Sequence, residues 1–243
     1  MTDSHAVIEA FADLAPQYEE TVDRELRKFW GVSYGALVGR LVQQASVSQG
    51  DMVLDVATGT ALIPRTMAGQ VGAGGRVVGL DITPAMLGHG RNKAEATGLS
   101  LPISLVCASA AAMPVASGVF DVAICGLGTH HMDVPRLMAE MRRVLRTGGR
   151  IVVADVGLSA LWRSWWGAVL LRLLLVFYSL WHVKSARAQA ETDALSNIRT
   201  AGEWRAVVAD AGFTQIEVLQ SRPRRPWYPC PLTVRAVAED TGG

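Results

Sequence analysis

The sequence predicts an α/β domain built on an open, doubly wound sheet of seven strands. Three observations support this prediction. Five short apolar runs rich in Val and Ile alternate with helical patterns, as parallel strands buried on both faces do. Two further runs close the chain with no helix between them, so they should pair as an antiparallel hairpin. Acidic residues and a glycine follow the first strands, where the carboxyl ends of such a sheet bind ligands.

The expected strands and the helices between them have recognisable boundaries. The strands are Met52–Val56, Arg76–Leu80, Ile103–Cys107, Phe120–Cys125, Arg150–Val156, Phe213–Leu219 and Leu232–Ala238. Thr83–Pro84 predicts a helix start with a capping hydroxyl and a proline at the first helical position. Gly148–Gly149 predicts the end of a helix that begins near Pro135. Thr200 and Glu203 predict a capping box at the start of a late helix.

Composition argues against several classes of function. A net charge of +1 gives no electrostatic reason to expect binding to nucleic acid or to an acidic partner. Cys107, Cys125 and Cys230 are far apart and show no C-x-x-C spacing, which argues against a disulfide framework or a metal site. The first residues contain no basic segment followed by an apolar core, so no secretory signal is expected. We therefore expect a cytoplasmic protein.

The stretch from Asp51 to Gly69 combines a strand, a turn with one glycine, and a helix with a proline in its first turn. Asp55 lies near the end of the first strand, and Asp81 ends the second, 26 residues later. A carboxylate at Asp81 could accept both hydroxyl groups of a ribose. A dinucleotide fingerprint would need three glycines, and a phosphate-binding loop would need Gly-Lys-Ser/Thr. A nucleoside ligand without a pyrophosphate fits better.

Four blocks of sequence carry a resemblance to a known family. They are VLDVATGTA, VVGLDITPAMLGHGRNKA, FDVAICGLGTHHM and RVLRTGGRIVVAD. In this order they resemble class I S-adenosylmethionine-dependent methyltransferases, most closely the ubiquinone/menaquinone-biosynthesis C-methyltransferase group and its small-molecule relatives. The match covers about residues 50–156. It implies a Rossmann-like fold and S-adenosyl-L-methionine as the cofactor, and it says little about the substrate.

The resemblance assigns eleven residues to the cofactor. They are Tyr18, Asp55, Ala57, Gly59, Thr60, Asp81, Ile82, Met86, Ser109, Ala110 and Gly126. Asp81 would bind the ribose, and Ile82 and Met86 would pack on the adenine. Ala61 stands where the family usually has glycine, and Ser109 replaces the usual acid. These two departures leave room for weaker affinity, or for a relative that has lost methyl transfer.

His130 and His131 follow the fourth strand, at the mouth of the predicted site, and are our candidate catalytic residues. Histidine is suited to proton removal near neutral pH. Methyl transfer to carbon or to a phenolic oxygen needs an acceptor that has lost its proton or nearly so. A base is useful but not obligatory, since much of the work is alignment. A packing or capping role for either histidine therefore stays open.

The apolar segment Leu161–Val183 is nearly long enough to cross a bilayer. A single crossing would separate the terminal hairpin from its sheet, so we reject a span. We expect a helical lid after strand five that covers the site or dips into one leaflet, with Tyr178 and His182 as candidate substrate contacts. Arg172, at its middle, argues against insertion. A helix buried in the core is the alternative.

We expect four regions in this chain. They are an N-terminal helical cap (1–48), a cofactor-binding core (49–157), an apolar helical lid (158–199), and a last helix with the terminal hairpin (200–243). The expected function is methyl transfer to a hydrophobic small molecule such as a quinone, polyketide or other aromatic, with carbon favoured over oxygen. A non-methylating cyclisation or rearrangement, and a non-catalytic binding subunit, are the alternatives. A homodimer and peripheral membrane contact through the lid stay open.

Overall fold

A single seven-stranded sheet forms the centre of the computed structural model, which describes residues 4–98, 102–157, 194, 197–222, 225 and 228–239. The strands are β1 (Met52–Val56), β2 (Arg76–Asp81), β3 (Ile103–Cys107), β4 (Phe120–Gly126), β5 (Leu145–Gly157), β6 (Phe213–Gln220) and β7 (Cys230–Ala238). Their order is β3-β2-β1-β4-β5-β7-β6. The first five pair in parallel, whereas β7 runs antiparallel to both β5 and β6. The predicted sheet and terminal hairpin are confirmed.

The described residues form seven α-helices that flank this sheet. They are α1 (Ser4–Leu14), α2 (Tyr18–Phe29), α3 (Tyr34–Ala45), α4 (Leu62–Val71), α5 (Pro84–Glu95), α6 (Val134–Val144) and α7 (Ala201–Asp210). Single 3-10 turns occupy Ala15–Gln17 and Thr129–His131. The helices α1 to α3 precede the first strand, as the helical periodicity of that region predicts.

The centre of the sheet is buried on both faces because neighbouring residues of β1, β2, β4 and β5 contribute to different apolar clusters. In β1, Leu54 packs with α6 and α7, whereas Val53 packs with α3 and α4. The same alternation separates Val152 from Ile151 and Val153 in β5. This two-sided burial explains why the strands read as continuous apolar runs rather than as alternating patterns.

Two of the predicted helix boundaries need correction. Thr83 is the N-cap of α5, but its hydroxyl does not cap the helix; it hydrogen-bonds instead with Asp81. The helix α6 ends at Val144, and the chain passes directly into β5. Gly148–Gly149 therefore do not stop the helix but lie at a register shift between β4 and β5, where Gly148 has φ +77°.

The capping box at the start of α7 is confirmed. The hydroxyl of Thr200 accepts a hydrogen bond from the backbone N–H of Glu203 at 3.3 Å. In return, the side chain of Glu203 accepts one from the backbone N–H of Thr200 at 2.8 Å. The two contacts satisfy backbone donors that the first helical turn leaves unpaired.

The predicted lid falls almost entirely outside the described residues. Tyr178 and His182 lie there, so both stay predictions. Beyond Gly157, the described residues resume with Ala194 and with the stretch that starts at Asn197. In this stretch Arg199 forms a parallel bridge with Gly157. Within the described ranges, no helix combines the length and apolarity that crossing a membrane requires.

Candidate active site

A cavity of about 1000 Å³ opens at the carboxyl ends of the parallel strands. Ten of the residues predicted for the site line it, namely Tyr18, Ala57, Gly59, Asp81, Ile82, Met86, Ser109, Ala110, Gly126 and His131. Three predicted residues, Asp55, Thr60 and His130, are not part of this lining. The volume is at the upper end of the range for small-molecule sites.

The turn after β1 contributes Ala57 and Gly59 to the cavity lining. Ala57, Gly59 and Ala61 all adopt positive φ, at +57°, +54° and +58°. A Cβ atom built on Gly59 would lie 3.4 Å from Cε of Met86 and 3.7 Å from Cε1 of Tyr18. A side chain at Gly59 would thus enter the space between these two residues, which a ligand would otherwise occupy.

The alanine that replaces the usual family glycine points away from the cavity. Ala61 is fully buried, and its methyl group lies 3.1 Å from the position a Cβ on Gly90 of α5 would take. A Cβ on Gly128 would similarly lie only 2.7 Å from the methyl group of Ala57. The glycines at 90 and 128 leave room for these methyl groups, so the departure at Ala61 does not narrow the site.

Asp81 is held with its carboxylate at the cavity wall. Its Oδ2 accepts a hydrogen bond from the backbone N–H of Gly59, and its Oδ1 accepts one from that of Thr83, both at 2.8 Å. Burial raises the pKa of Asp81, although the hydrogen bonds from Thr83 and Gly59 oppose this shift. The hydroxyl of Thr83 and the backbone N–H of Ile82 also interact with this carboxylate, so the expected binding of ribose hydroxyl groups by Asp81 stays a prediction.

Asp55 lies beneath the turn and is fully buried. Burial raises its pKa to about 8, with the charge of Asp81 adding to the shift and the hydroxyl of Thr58 opposing it. Its carboxyl group is therefore largely neutral at pH 7. The expected contact between Asp55 and the methionine part of the cofactor stays a prediction.

The part of the cavity beside the ends of β2 and β3 is lined by apolar side chains and by the polar side chain of Ser109. Ile82, Met86 and Ala110 line the cavity beside the ends of β2 and β3. Ser109 is exposed, and its hydroxyl accepts a hydrogen bond from the backbone N–H of Ala111 at 3.2 Å. The hydroxyl proton of Ser109 is not used in this bond. The arrangement suits an adenine ring packed between apolar side chains.

The two adjacent histidines lie in different surroundings. His131 lines the cavity and packs edge-on against Phe11 of α1, with ring centroids 5.2 Å apart. Burial, and next the neighbouring His130, lower the pKa of His131 to about 3, so its imidazole is neutral at physiological pH. The ring of His130 lies 4.3 Å from that of His131 between centroids, and its side chain is 12% exposed.

Asp155, at the end of β5, fixes the orientation of His130 and was missed by the sequence reasoning. Its Oδ1 lies 2.7 Å from Nδ1 of His130. Its Oδ2 accepts hydrogen bonds from the hydroxyl and backbone N–H of Thr129. Burial favours a raised pKa, but the charge and hydrogen bonds of His130 and Thr129 outweigh it and lower the pKa of Asp155. With Asp155 ionised, Nδ1 of His130 donates a hydrogen bond to its carboxylate.

One signal in the sequence could have identified Asp155. It closes a parallel strand, as Asp81 does, and acids at that edge of a doubly wound sheet point towards the ligand crevice. Phe11 and Val7 of α1, which also line the cavity, carry no comparable signal. Both read as ordinary apolar positions of an amphipathic helix.

The geometry fits a nucleoside cofactor without a pyrophosphate. The acid Asp81, a turn with one glycine and the apolar side chains of Ile82, Met86 and Ala110 line one cavity. They follow β1, β2 and β3, and the candidate base follows β4. Together with the seven-stranded sheet and its antiparallel β7, these features define the class I S-adenosylmethionine-dependent methyltransferases.

The chain belongs to the ubiE/COQ5 methyltransferase family, whose model matches residues 36–218. The ubiquinone/menaquinone biosynthesis C-methyltransferase UbiE of Geotalea uraniireducens (strain Rf4) is 27% identical over 219 residues, covering 86% of this chain and 88% of that protein. The enzyme is thus an S-adenosylmethionine-dependent methyltransferase.

Solved structures show the same fold at low sequence identity. The crystal structure of a SAM dependent methyltransferase from Aquifex aeolicus is 15% identical and has a TM-score of 0.62, covering 92% of this chain and 98% of that one. The crystal structure of the [4+2]-cyclase SpnF is 16% identical with a TM-score of 0.64, covering 85% of this chain and 81% of that one. The fold alone therefore does not decide the reaction.

Proposed function

We propose that this enzyme methylates a ring carbon of a quinone-type aromatic acceptor in its reduced, hydroquinone form. The observation that carries the proposal is the histidine turn: His131 lines the cavity, and its ring lies 4.3 Å from that of His130, which pairs with Asp155. The name of the similar UbiE protein, which specifies C-methyl transfer in ubiquinone and menaquinone biosynthesis, supports the same choice.

The cofactor-binding residues hold and orient the cofactor. Asp81 would accept hydrogen bonds from the ribose, Met86 and Ile82 would enclose the adenine, and the turn at Gly59 would lie under the rest of the molecule. When bound, S-adenosyl-L-methionine supplies an electrophilic methyl group on a sulfonium. The task left to the protein is to present a nucleophilic carbon in line with that group and to exclude water.

The acceptor half of the cavity combines apolar side chains with polar ones, among them Asp133, Arg136 and Arg199. Phe11, Met132 and Leu137 line it and suit an aromatic ring. Removing a phenolic proton makes the ring carbon beside that hydroxyl nucleophilic. We assign this proton to His130, because the carboxylate of Asp155 beside its Nδ1 would stabilise the protonated imidazole. Methyl transfer would form the bond between the ring carbon and the methyl group and break the carbon–sulfur bond, and the hydrogen on that ring carbon would then pass as a proton through water to the ring oxygen, which restores the hydroxyl group.

His131 would act differently from its neighbour. Its low pKa makes it a poor proton acceptor but keeps it uncharged in the cavity wall. A neutral imidazole can hydrogen-bond to a hydroxyl or carbonyl oxygen of the acceptor without introducing a charge that the apolar surroundings disfavour. We therefore assign His131 to acceptor orientation.

The test is methyl transfer with a labelled cofactor. The purified chain is incubated with carbon-13 methyl-labelled S-adenosylmethionine and a short-chain naphthohydroquinone or benzohydroquinone that lacks the ring methyl group, kept reduced. Nuclear magnetic resonance of the product should show the label on a ring carbon. A labelled methoxy group would contradict carbon methylation, and a rearranged product without label would favour the cyclase-type alternative. Asp81→Ala serves as the inactive control.

A further inference from the structure

Glu19, in the first turn of α2, joins three separate parts of the fold through one carboxylate oxygen. Its Oε1 accepts a hydrogen bond from the hydroxyl of Thr60 at 2.6 Å. The same oxygen lies 2.6 Å from Nη2 of Arg65 and 2.9 Å from Nζ of Lys93. We call these four residues the Glu19 cluster. It ties α2 to the glycine turn, to α4 and to α5 at once.

The Glu19 cluster lies directly beside the cavity wall. Tyr18 precedes Glu19, lines the cavity and faces Gly59. Phe11 packs edge-on against Tyr18, with centroids 6.3 Å apart, and it also packs against His131. The position of α2 therefore determines the position of the cavity wall formed by Tyr18 and Phe11, between the glycine turn and His131.

The Glu19 cluster is partly shielded from solvent, so its contacts stabilise one another. The side chain of Glu19 is 25% exposed and that of Arg65 is 18% exposed. A single exposed ion pair usually contributes less than about 1 kcal/mol, but removing a shared, partly buried acceptor leaves several donors unpaired at once. Burial favours a raised pKa for Glu19, yet the hydrogen bonds of Thr60 and Lys93 and the positive charges outweigh it and lower the pKa.

We propose that Glu19 is a positioning residue for the cofactor, which holds Tyr18 against the glycine turn and thereby sets how long the bound cofactor stays in the site. Thr60, which the family resemblance assigns to the cofactor, acts through this cluster, because its hydroxyl is committed to Glu19. The identity of the methyl acceptor does not enter, since none of the four cluster residues lines the cavity and their effect reaches it through Tyr18, beside Gly59.

The test compares Glu19→Gln with Glu20→Gln in the full chain. Glu20 is exposed and adjacent on the same helical turn, so both variants change the net charge equally. Dissociation of S-adenosylhomocysteine is followed by stopped-flow displacement, affinity by calorimetry, and the melting temperature without ligand by calorimetric scanning. Glu19→Gln should release the ligand ~10-fold faster, which corresponds to about 1.4 kcal/mol. Glu20→Gln should match the wild type.

A purely structural role predicts a different pattern. If Glu19→Gln lowers the melting temperature but leaves the dissociation rate unchanged, the proposal is wrong. In a Tyr18→Ala background the Glu19→Gln change should add little, because its effect passes through Tyr18. An undiminished effect there would also contradict the proposal.

A second variant keeps the test decisive if Glu19→Gln does not fold. The double variant Arg65→Met, Lys93→Met removes both cations and leaves the contact between Glu19 and Thr60 in place. It should also accelerate ligand release. Release at the wild-type rate from a folded double variant would overturn the proposal.

Discussion

The two halves of the cavity are assembled in different ways. The cofactor half comes from residues that directly follow β1 and β2, so Gly59 and Asp81 reach their places through short stretches of chain. The acceptor half combines Phe11 of α1, the histidine turn after β4 and Asp155 at the end of β5. In the first half the main residues follow from local sequence and only Tyr18 comes from a distant helix, whereas the second half depends throughout on contacts between distant segments. Substitutions in each half should therefore affect different measured quantities.

The largest effect should come from the acid of the cofactor half. Asp81→Ala removes the acceptor for two ribose hydroxyl groups and leaves the backbone N–H of Gly59 without its partner. Hydrogen bonds to a charged group contribute about 1.5–3 kcal/mol each, so affinity for S-adenosylhomocysteine should fall ~100-fold or more. Calorimetric titration measures this directly. Asp81→Asn, which keeps one acceptor oxygen, should lose less, and unchanged affinity in both variants would contradict the ribose assignment.

The acceptor half should respond in turnover rather than in cofactor affinity. His130→Ala removes the proposed proton acceptor, and Asp155→Asn removes the carboxylate that orients it. Loss of a general base typically lowers the rate by about 100-fold or more, so kcat should fall to that extent. His131→Ala should have a smaller effect on kcat and raise KM for the acceptor. Affinity for S-adenosylhomocysteine should stay within about threefold in all three variants.

Two results would contradict this division of roles. Full turnover in both His130→Ala and His131→Ala would end the proposal of a histidine base. A loss of cofactor affinity equal to the loss of turnover would mean that these residues shape the whole site rather than the acceptor half. Melting temperatures of each variant separate either result from unfolding.

The same contrast explains what could be predicted from the sequence. The seven strands, the terminal hairpin and the position of Asp81 follow from local patterns, and the structure agrees with them. The pairing of His130 with Asp155 joins the turn after β4 to β5, across 25 positions of the chain. The contact of Glu19 with Thr60 spans 41 positions. No periodicity or short motif encodes such contacts, because they depend on how the helices and strands pack.

The sequence alone could not predict the burial of Asp55 either. This burial leads to a prediction about how the stability of the protein depends on pH. Its folded-state pKa of about 8 lies well above the ordinary value of 3.8, because burial disfavours the charge. The unfolded chain therefore loses this proton first as pH rises, so the group's contribution to stability is greatest below pH 4 and falls until about pH 8. Asp55→Asn removes this dependence. The melting temperature of the wild type, relative to that of the variant, should fall between pH 5 and pH 8.

The reference for this measurement is Asp133→Asn, an exposed acid at the start of α6. Its melting temperature should follow that of the wild type across the same pH range apart from a constant offset. A constant difference between the wild type and Asp55→Asn would mean that Asp55 is ionised in the folded protein. The neutral state assigned to its carboxyl group would then be wrong.

The smallest effect should come from Ala61, the residue that differs from the usual family glycine. Ala61→Gly relieves an alanine at φ +58°, a conformation that costs roughly 1–2 kcal/mol for residues with a side chain. It also removes a fully buried methyl group that packs against Gly90, worth about 0.8 kcal/mol. The two terms nearly cancel, so the melting temperature and the affinity for S-adenosylhomocysteine should barely change.

Gly90→Ala makes the opposite change at the same contact and should be clearly destabilising, because its methyl group would lie 3.0 Å from the backbone of Thr60. If Ala61→Gly instead tightened cofactor binding several-fold, the methyl group would have to obstruct the cavity, contrary to its position against α5.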